Sequence, residues 1–389
     1  MSQNPDIIVV GGGVIGLACA WKLAQQSYKV TLLERSECGS ESSSASLGVL
    51  APSAAKQQQP SNILHGQSLG MFTSFISELE AASGLSVPLY RRGSLRLLAQ
   101  ETSYQNALTE LESAKHLPAE RAQNYELELL TPKQLLQVEP ALQDPGYGAL
   151  LNRAVSVVEV PVLIEALIRA CKSAGVDIRT GTTVSGLTLE RSSLTVTLLH
   201  QENICAKQAL ICAGVWTMQL HPLLARYCAL EPVRGQALEI ASPEWSPRHI
   251  IKSKRAYLVP AGKGRILLGS TTEFNPGFNS HNTFHGLQEI WGRTSAVVPR
   301  IASYRVTRYW AGLRPAALDR KLFLGEVPET ENLFVASGHY KTGFGFMPIT
   351  AKIIAQLMTD GETEYKLDGL LPRVAKAWVK GKNGRGCSS

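Results

Sequence analysis

Apolar residues along this chain follow two periods, and the switches between them divide it into elements. Ile7-Ile8-Val9-Val10 is a continuous apolar run of the length of a buried strand, broken by Gly11-Gly12-Gly13. The next stretch, to about Gln26, is apolar on most sides and helical in spacing; Lys29 to Leu33 then returns to a strand pattern that ends in Glu34. Apolar positions at Ile63, Leu64, Leu69, Phe72, Phe75, Ile76 and Leu79 predict one helix over residues 62–84. Residues 89–98 alternate like a strand, 101–111 are helical, and Thr131-Pro132 opens a short helix towards Val138. A helix over 160–174 is stopped by Gly175, and short strands follow at 176–179, 182–184 and 194–199. A buried strand at 208–212 ends in the small turn Ala213-Gly214. From 229 to 311 the pattern is mostly strand (233–240, 250–260, 265–271, 304–310), with one helix around 287–298. The chain closes with a strand at 332–337, a glycine-rich loop over 338–346, and a helix over 348–358 with proline at its start. No internal repeat appears.

The first of these elements specify chemistry. Strand, glycine turn, helix, strand and acidic residue occur in the order of a dinucleotide-binding unit. Gly11 permits the tight turn, Gly13 clears the backbone for a pyrophosphate, and Gly16 lets helix and strands pack closely. The free N–H groups at the helix start face the phosphates, and Glu34 is placed to bind the adenosine ribose. The fold class is therefore α/β: a Rossmann-like unit, with the strand-rich remainder forming a second domain of antiparallel sheet.

Composition narrows the classes further. A length of 389 residues suggests two domains, and 44% hydrophobic content suffices for ordinary soluble cores. Ile7 to Ala20 lacks the basic flank of a signal peptide, and no other apolar run is long enough to span a bilayer, so the cytoplasm is the expected compartment. Seven cysteines without CxxC or a Cys/His cluster indicate neither a disulfide framework nor a metal site. The net charge of +7 is spread along the chain, except in a basic tail from Arg373 to Arg385 that reads as a solvated terminus; nucleic acid is not an expected partner.

Candidate site residues come from position and residue type. Arg35 to Ser46 leaves the end of the second strand beside the glycine turn, where Ser42 and Ser43 can wrap a phosphate and a ribityl chain. Leu47 to Pro52 is apolar enough to lie against a flat aromatic ring. Alternation puts Arg255 and Tyr257 on one strand face, and Arg308, Trp310, Gly312 and Arg314 share another if their strand runs that far.

The nucleotide fingerprint, Ser42 to Pro52, Ala213-Gly214-Val215-Trp216, Tyr257-Leu258-Val259-Pro260, Trp310 to Pro315 and Gly338-His339-Tyr340 together resemble the D-amino-acid oxidase superfamily of flavoproteins, most closely the glycine oxidases of thiamin biosynthesis. The resemblance runs nearly the whole chain in order. It implies non-covalent FAD in a discontinuous domain (1–84, 150–225 and 312–375), a substrate domain (85–149 and 226–311), a basic tail (376–389), and oxidation of a small amine by hydride transfer. Carried over residue by residue, it implies FAD contacts at Val14, Ile15, Glu34, Arg35, Ser42, Ser43, Leu47, Gly48, Val49, Val184, Ala213, Gly214 and Trp216. The same holds along Gly338, His339, Tyr340, Lys341, Thr342, Gly343, Phe344 and Gly345. Arg314 matches the arginine that holds the substrate carboxylate, Tyr257 a tyrosine of the same pocket, and Val49, Arg255 and Lys341 line it. Lys341-Thr342 departs from the glycine-oxidase pattern, and Gly343 to Phe346 is closer to sarcosine oxidases, which carry a lysine where this chain has Gly345.

The chemistry needs little more than a clamp. Arginine's planar fork holds a carboxylate by two charge-assisted bonds and so aims the substrate's Cα–H. The expected function is oxidative deamination of glycine, sarcosine or a small D-amino acid, with O2 as acceptor and H2O2 as product. Two alternatives are an amino-acid dehydrogenase passing electrons to a quinone or carrier, and a flavoenzyme modifying RNA. NAD is the runner-up cofactor. A homo-oligomer is compatible with this reading and is not fixed by it.

Overall fold

The computed structural model describes residues 4–53, 59–143, 146–242, 244–253 and 256–374. Ile7–Val10 lies at the centre of a six-stranded sheet, paired in parallel with Val30–Leu33 on one side and Gln208–Ile211 on the other. Asp177–Arg179 closes one edge; Leu333–Ser337 and the antiparallel Phe323–Glu326 extend the other. The helices Val14–Gln25, Val160–Ser173 and Gly343–Thr359 cover one face, where Leu17, Trp21, Leu167 and Ile353 share a core. On the opposite face a three-stranded sheet brings Leu187, Leu194 and Val196 against Ile8, Ile211 and Val335. Burial from both sides is why these strands read as apolar runs without alternation.

A nine-stranded sheet forms the second layer. Its core strand, Leu230–Ala241, pairs along its length with Arg305–Ala317 and on its other edge with Arg265–Gly269 and Glu273–Phe274. Tyr257–Pro260, Ile250–Lys252, Ser94–Leu97, Ala149–Asn152 and Leu127–Leu130 continue it in that order. One face packs Leu238, Leu258 and Leu268 against Ile290 of the helix Phe284–Ser295. The other turns Tyr257, Val259, Ile250 and Leu267 towards Leu47, Val49 and Ala51, the segment that follows the serine loop. The two sheets therefore meet across that segment.

Several boundaries differ from the sequence expectation: the strand expected at 182–184 is Val184–Leu189, and the helix around 287–298 is Phe284–Ser295. The helix over 62–84 is two helices, Pro60–Gly70 and Phe72–Ser83, which divide at Met71. The strand over 89–98 is also two, Leu89–Tyr90 and Ser94–Leu97, in different sheets; Gly93 turns the chain between them with φ of 64°. Residues 250–260 likewise form two strands. Finally, the last helix begins at Gly343 and carries Pro348 inside it, because Phe346 already donates its N–H to the Thr342 carbonyl one turn earlier. Proline preference for the first turn misplaced that start. The expected domain boundaries at 149/150 and 311/312 fall within the strands Ala149–Asn152 and Arg305–Ala317. No helix among the described residues is long and apolar enough to cross a membrane. Arg373, expected at the start of the solvated basic tail, instead pairs with Asp319, and residues 375–389 lie outside the described residues.

Candidate active site

The glycine turn is held by backbone fit. Gly11 has φ of 107°, and a Cβ there would lie 2.5 Å from the Cys212 carbonyl oxygen; one on Gly16 would lie 1.9 Å from the Gly11 oxygen. Gly13 is different: its Cβ position meets only the Ser43 hydroxyl, at 3.2 Å, which leaves the helix start open to a ligand. Val14 donates its N–H to Ser43 Oγ (3.1 Å), so the serine loop is docked on the first turn of the helix. The Glu34 carboxylate is 8% exposed and accepts from the N–H groups of Gly12 (2.7 Å) and Ser36 (2.9 Å). Its backbone binds Arg179 and Thr182, two residues before Val184. Beside it, Arg35 pairs with Glu41 and lies 3.6 Å over the Trp216 ring; Trp216 belongs to a short 3-10 helix, Gly214–Gln219. Ala213, Gly214 and Trp216 thus border the same turn as Arg35.

Across the interface, Arg314 sits where the Arg305–Ala317 strand crosses Leu230–Ala241. Its Nη1 donates to the Thr271 carbonyl (3.0 Å) and its Nη2 to the Ser270 hydroxyl (2.9 Å). The space it occupies exists because residue 235 is glycine: a Cβ there would lie 2.0 Å from Nη2. Behind it, Glu273 accepts from Arg234, Gln236 and Thr271, and Gln236 is fully buried. This network fixes the carbonyl that holds the guanidinium. Burial lowers the Arg314 pKa, opposed by Tyr340 and Glu273, and arginine stays charged at any ordinary pH. No carboxylate pairs with it among the described residues.

The serine loop and the Arg314 strand are bonded to each other. Ser42 Oγ donates to the Leu313 carbonyl (2.6 Å), and Trp310 Nε1 to the Ala45 carbonyl (3.1 Å). Tyr340 N–H reaches the Pro315 carbonyl (3.0 Å) from the other side. Gly48, with φ of 71°, packs its Cα against the Val158 carbonyl and aims Leu47 and Val49 at the sheet. Tyr257 packs against this segment, and burial raises its phenol well above the usual range. Lys341 is exposed as a residue, yet its ammonium, 5.2 Å from the Tyr340 ring, is partly desolvated and neighboured by Arg314, Lys252 and Arg320; these hold its pKa down to about 8.

The start of the last helix has a more specific fit than glycine flexibility. A Cβ on Gly345 would lie 2.2 Å from His65 Nε2, so the buried His65 ring fills that space, stacked on Phe346 at 4.8 Å. His339 turns its imidazole inward to Thr350 Oγ1 (3.0 Å) and contributes only backbone to the loop's outer surface. Phe344 is likewise buried in the core. Gly338, Tyr340, Lys341, Thr342 and Gly343 form the approach to this helix, with Gly338 and Tyr340 at positive φ.

The structure therefore brings the predicted residues into two adjoining groups joined by the segment 42–49. Gly11, Gly13, Gly16, Val14, Ile15, Glu34, Arg35 and Ser43 lie on the first side; Arg314, Tyr257, Val49 and Lys341 lie on the second. Arg255 lies outside the described residues. Sequence reasoning missed Gly235, Ser270, Thr271 and His65. Of these only Gly235 carries a readable signal, a glycine inside a strand pattern where a close approach is the usual cause. The open helix start at Gly13, the buried Glu34 and the apolar segment 47–51 fit a long dinucleotide carrying a flat ring, as FAD does.

Comparison with known proteins agrees with this geometry. The chain is 29% identical over 371 residues to the glycine oxidase of Geobacillus kaustophilus strain HTA426, covering 94% of this chain and 96% of that one. It is 25% identical to the glycine oxidase of Bacillus subtilis strain 168, covering 93% and 95%. The solved structure of glycine oxidase from Geobacillus kaustophilus superposes with a TM-score of 0.88 at 27% identity, over 96% of this chain and all of that one. The family model of FAD dependent oxidoreductases (DAO) matches residues 6–357, and to that family this chain belongs.

Proposed function

We propose that this protein oxidises a small amino acid or carboxylate-bearing amine, of the class of glycine, sarcosine and small D-amino acids, and uses O2 to regenerate its cofactor. The observation that carries this reading is Arg314: a buried guanidinium whose only bonded partners among the described residues are a carbonyl and a hydroxyl is left to seek an anion. FAD, held by Gly13, Val14, Glu34 and Ser43, would supply the acceptor for a hydride from the substrate's Cα, and O2 would take those electrons to give H2O2. Arg314 fixes the carboxylate, and Tyr257, protonated throughout the physiological range, offers a phenolic O–H beside it. Lys341, its pKa held down to about 8 by burial and by Arg314, Lys252 and Arg320, stays mostly protonated at neutral pH and adds positive charge near Arg314. Val49, Leu47 and the sheet face exclude water.

The test is a panel of amines mixed anaerobically with the purified yellow protein, followed by admission of air. Bleaching by glycine, sarcosine or a small D-amino acid, with H2O2 on reoxidation, is expected. Bleaching without peroxide would make the protein a dehydrogenase; no bleaching by any amino acid would end the reading.

A further inference from the structure

The substrate side of the site carries more positive charge than one carboxylate can satisfy. Three of its cations have carboxylate partners: Arg320 with Glu231, Arg234 with Glu273, and Arg96 with Glu110. Three others, Arg314, Lys341 and Lys252, have none among the described residues. Lys252 is placed by sheet register. It lies directly opposite Tyr257 on one neighbouring strand and opposite Arg96 on the other. Directly opposed residues share a face, so the row Arg96, Lys252, Tyr257, Gly269, Ala237 and Trp310 runs along the side of the sheet that faces Leu47 and Val49. Arg314, four residues beyond Trp310 on the same strand, projects from that side too. Four strand steps, roughly 19 Å, and a four-residue offset along the strand, roughly 13 Å, separate the Arg314 and Lys252 backbones, which two long side chains narrow from either end.

Lys252 is half-buried, and burial together with Arg96 lowers its pKa against a smaller opposing pull from Glu110, which is itself paired with Arg96. Lys341 is near enough to both for Arg314 and Lys252 to lower its pKa. A glycine-sized substrate would neutralise Arg314 and leave the lysines facing each other.

We propose that Lys252 and Lys341 form a second anionic subsite, and that the preferred substrate is an amino acid or secondary amine carrying a second carboxylate, the first held by Arg314. This rests on the amine-oxidising reading above. It assigns that site a substrate class that neither the fingerprint nor Arg314 implies.

The experiment uses the holoenzyme and unreactive ligands. Dicarboxylates from succinate to adipate are titrated against monocarboxylates of the same length, with dissociation constants read from the perturbed flavin absorbance. At least one dicarboxylate should bind about tenfold or more tightly than its matched monocarboxylate, an advantage that shrinks with added salt. Lys252→Met should bring that ratio towards one, and Lys341→Met should reduce it, each retaining FAD. If Lys252→Met loses its flavin, Lys341→Met alone decides. Equal binding of the two ligand series in the wild-type protein, or a ratio unchanged in the variants, overturns the subsite. Failure of the functional reading looks different: the dicarboxylate preference would be present while no amine, with one carboxylate or two, bleached the flavin.

Discussion

The glycine turn and the Arg314 pocket solve opposite problems. The turn is built from absent side chains and exposed backbone, with Gly11 to Glu34 in one short stretch and Ser43 and Cys212 docked against it. Around Arg314 the site is lined by long charged side chains whose placement depends on which strands pair, across residues as distant as Ser42 and Leu313. The first site is sensitive to volume. The second is sensitive to register and charge.

The largest effect is expected where volume is least available. Gly16→Ala would put a methyl group 1.9 Å from the Gly11 oxygen, a backbone atom that cannot yield without opening the turn. The purified variant should be colourless or unstable; a flavin-to-protein ratio equal to wild type would show that the turn does not hold the cofactor.

Arg314→Ala should then separate the two sites. FAD should stay bound, while kcat/KM for the best amino acid falls roughly 30- to 5000-fold, the ~2–5 kcal/mol typical of truncating one member of a buried charge pair. Arg314→Lys keeps the charge and should still be damaging, because the paired bonds are lost. Flavin reduction at the wild-type rate in Arg314→Ala would remove the clamp from the account.

Gly235→Ala sharpens the comparison, since it applies a volume change to the charge site. Its methyl group would sit 2.0 Å from Arg314 Nη2 and displace the guanidinium without touching its charge. Roughly a 10- to 100-fold loss in kcat/KM with retained FAD is expected from misorientation alone. An unaltered steady-state profile would mean that the guanidinium adapts.

The smallest effect links the sites to stability. His65 and His339 are buried and neutral, with pKa values depressed by burial from 6.5 to about 4 and about 3. Protonation therefore favours the unfolded chain: their neutral forms fit fully above pH 6.5, and stability is lost as pH falls from 6.5 towards 4. Each lowers stability as the pH falls through that window. Thermal unfolding between pH 7 and 4 should show a shallower acid slope in His65→Gln than in wild type; parallel slopes would show that His65 titrates normally.

The same contrast explains what could be read without coordinates. Gly11, Gly13, Gly16 and Glu34 announce their roles because turn, helix and strand follow in one short stretch. The core strands were legible too, since burial on both faces leaves an apolar run. Tyr257 and Arg314 could be nominated through the resemblance, but their surroundings could not. Gly235, Thr271 and Lys252 acquire meaning only from register, and register joins residues tens of positions apart. His65 was hidden for a related reason: an isolated histidine on a helix reads as core filling until Gly345 is found beneath its ring. The start of the last helix was misplaced because Pro348 is a strong local signal and the hydrogen bond from Phe346 to Thr342 is not visible in the sequence.

The threading of the six-stranded sheet bears on how the protein comes to exist in the cell. Its central strand is made first, at Ile7–Val10, yet one neighbour arrives at residue 208, the far edge at residue 323 and beyond, and the covering helix last of all. During synthesis the nucleotide motif is therefore complete in sequence long before it has a sheet to sit on, and the side of Val14–Gln25 that packs on Gly343–Thr359 remains uncovered until that helix leaves the ribosome. Such long-range pairing is slow and exposes apolar surface meanwhile. A nascent chain halted before residue 343 would carry every glycine of the fingerprint and still be a client for chaperones.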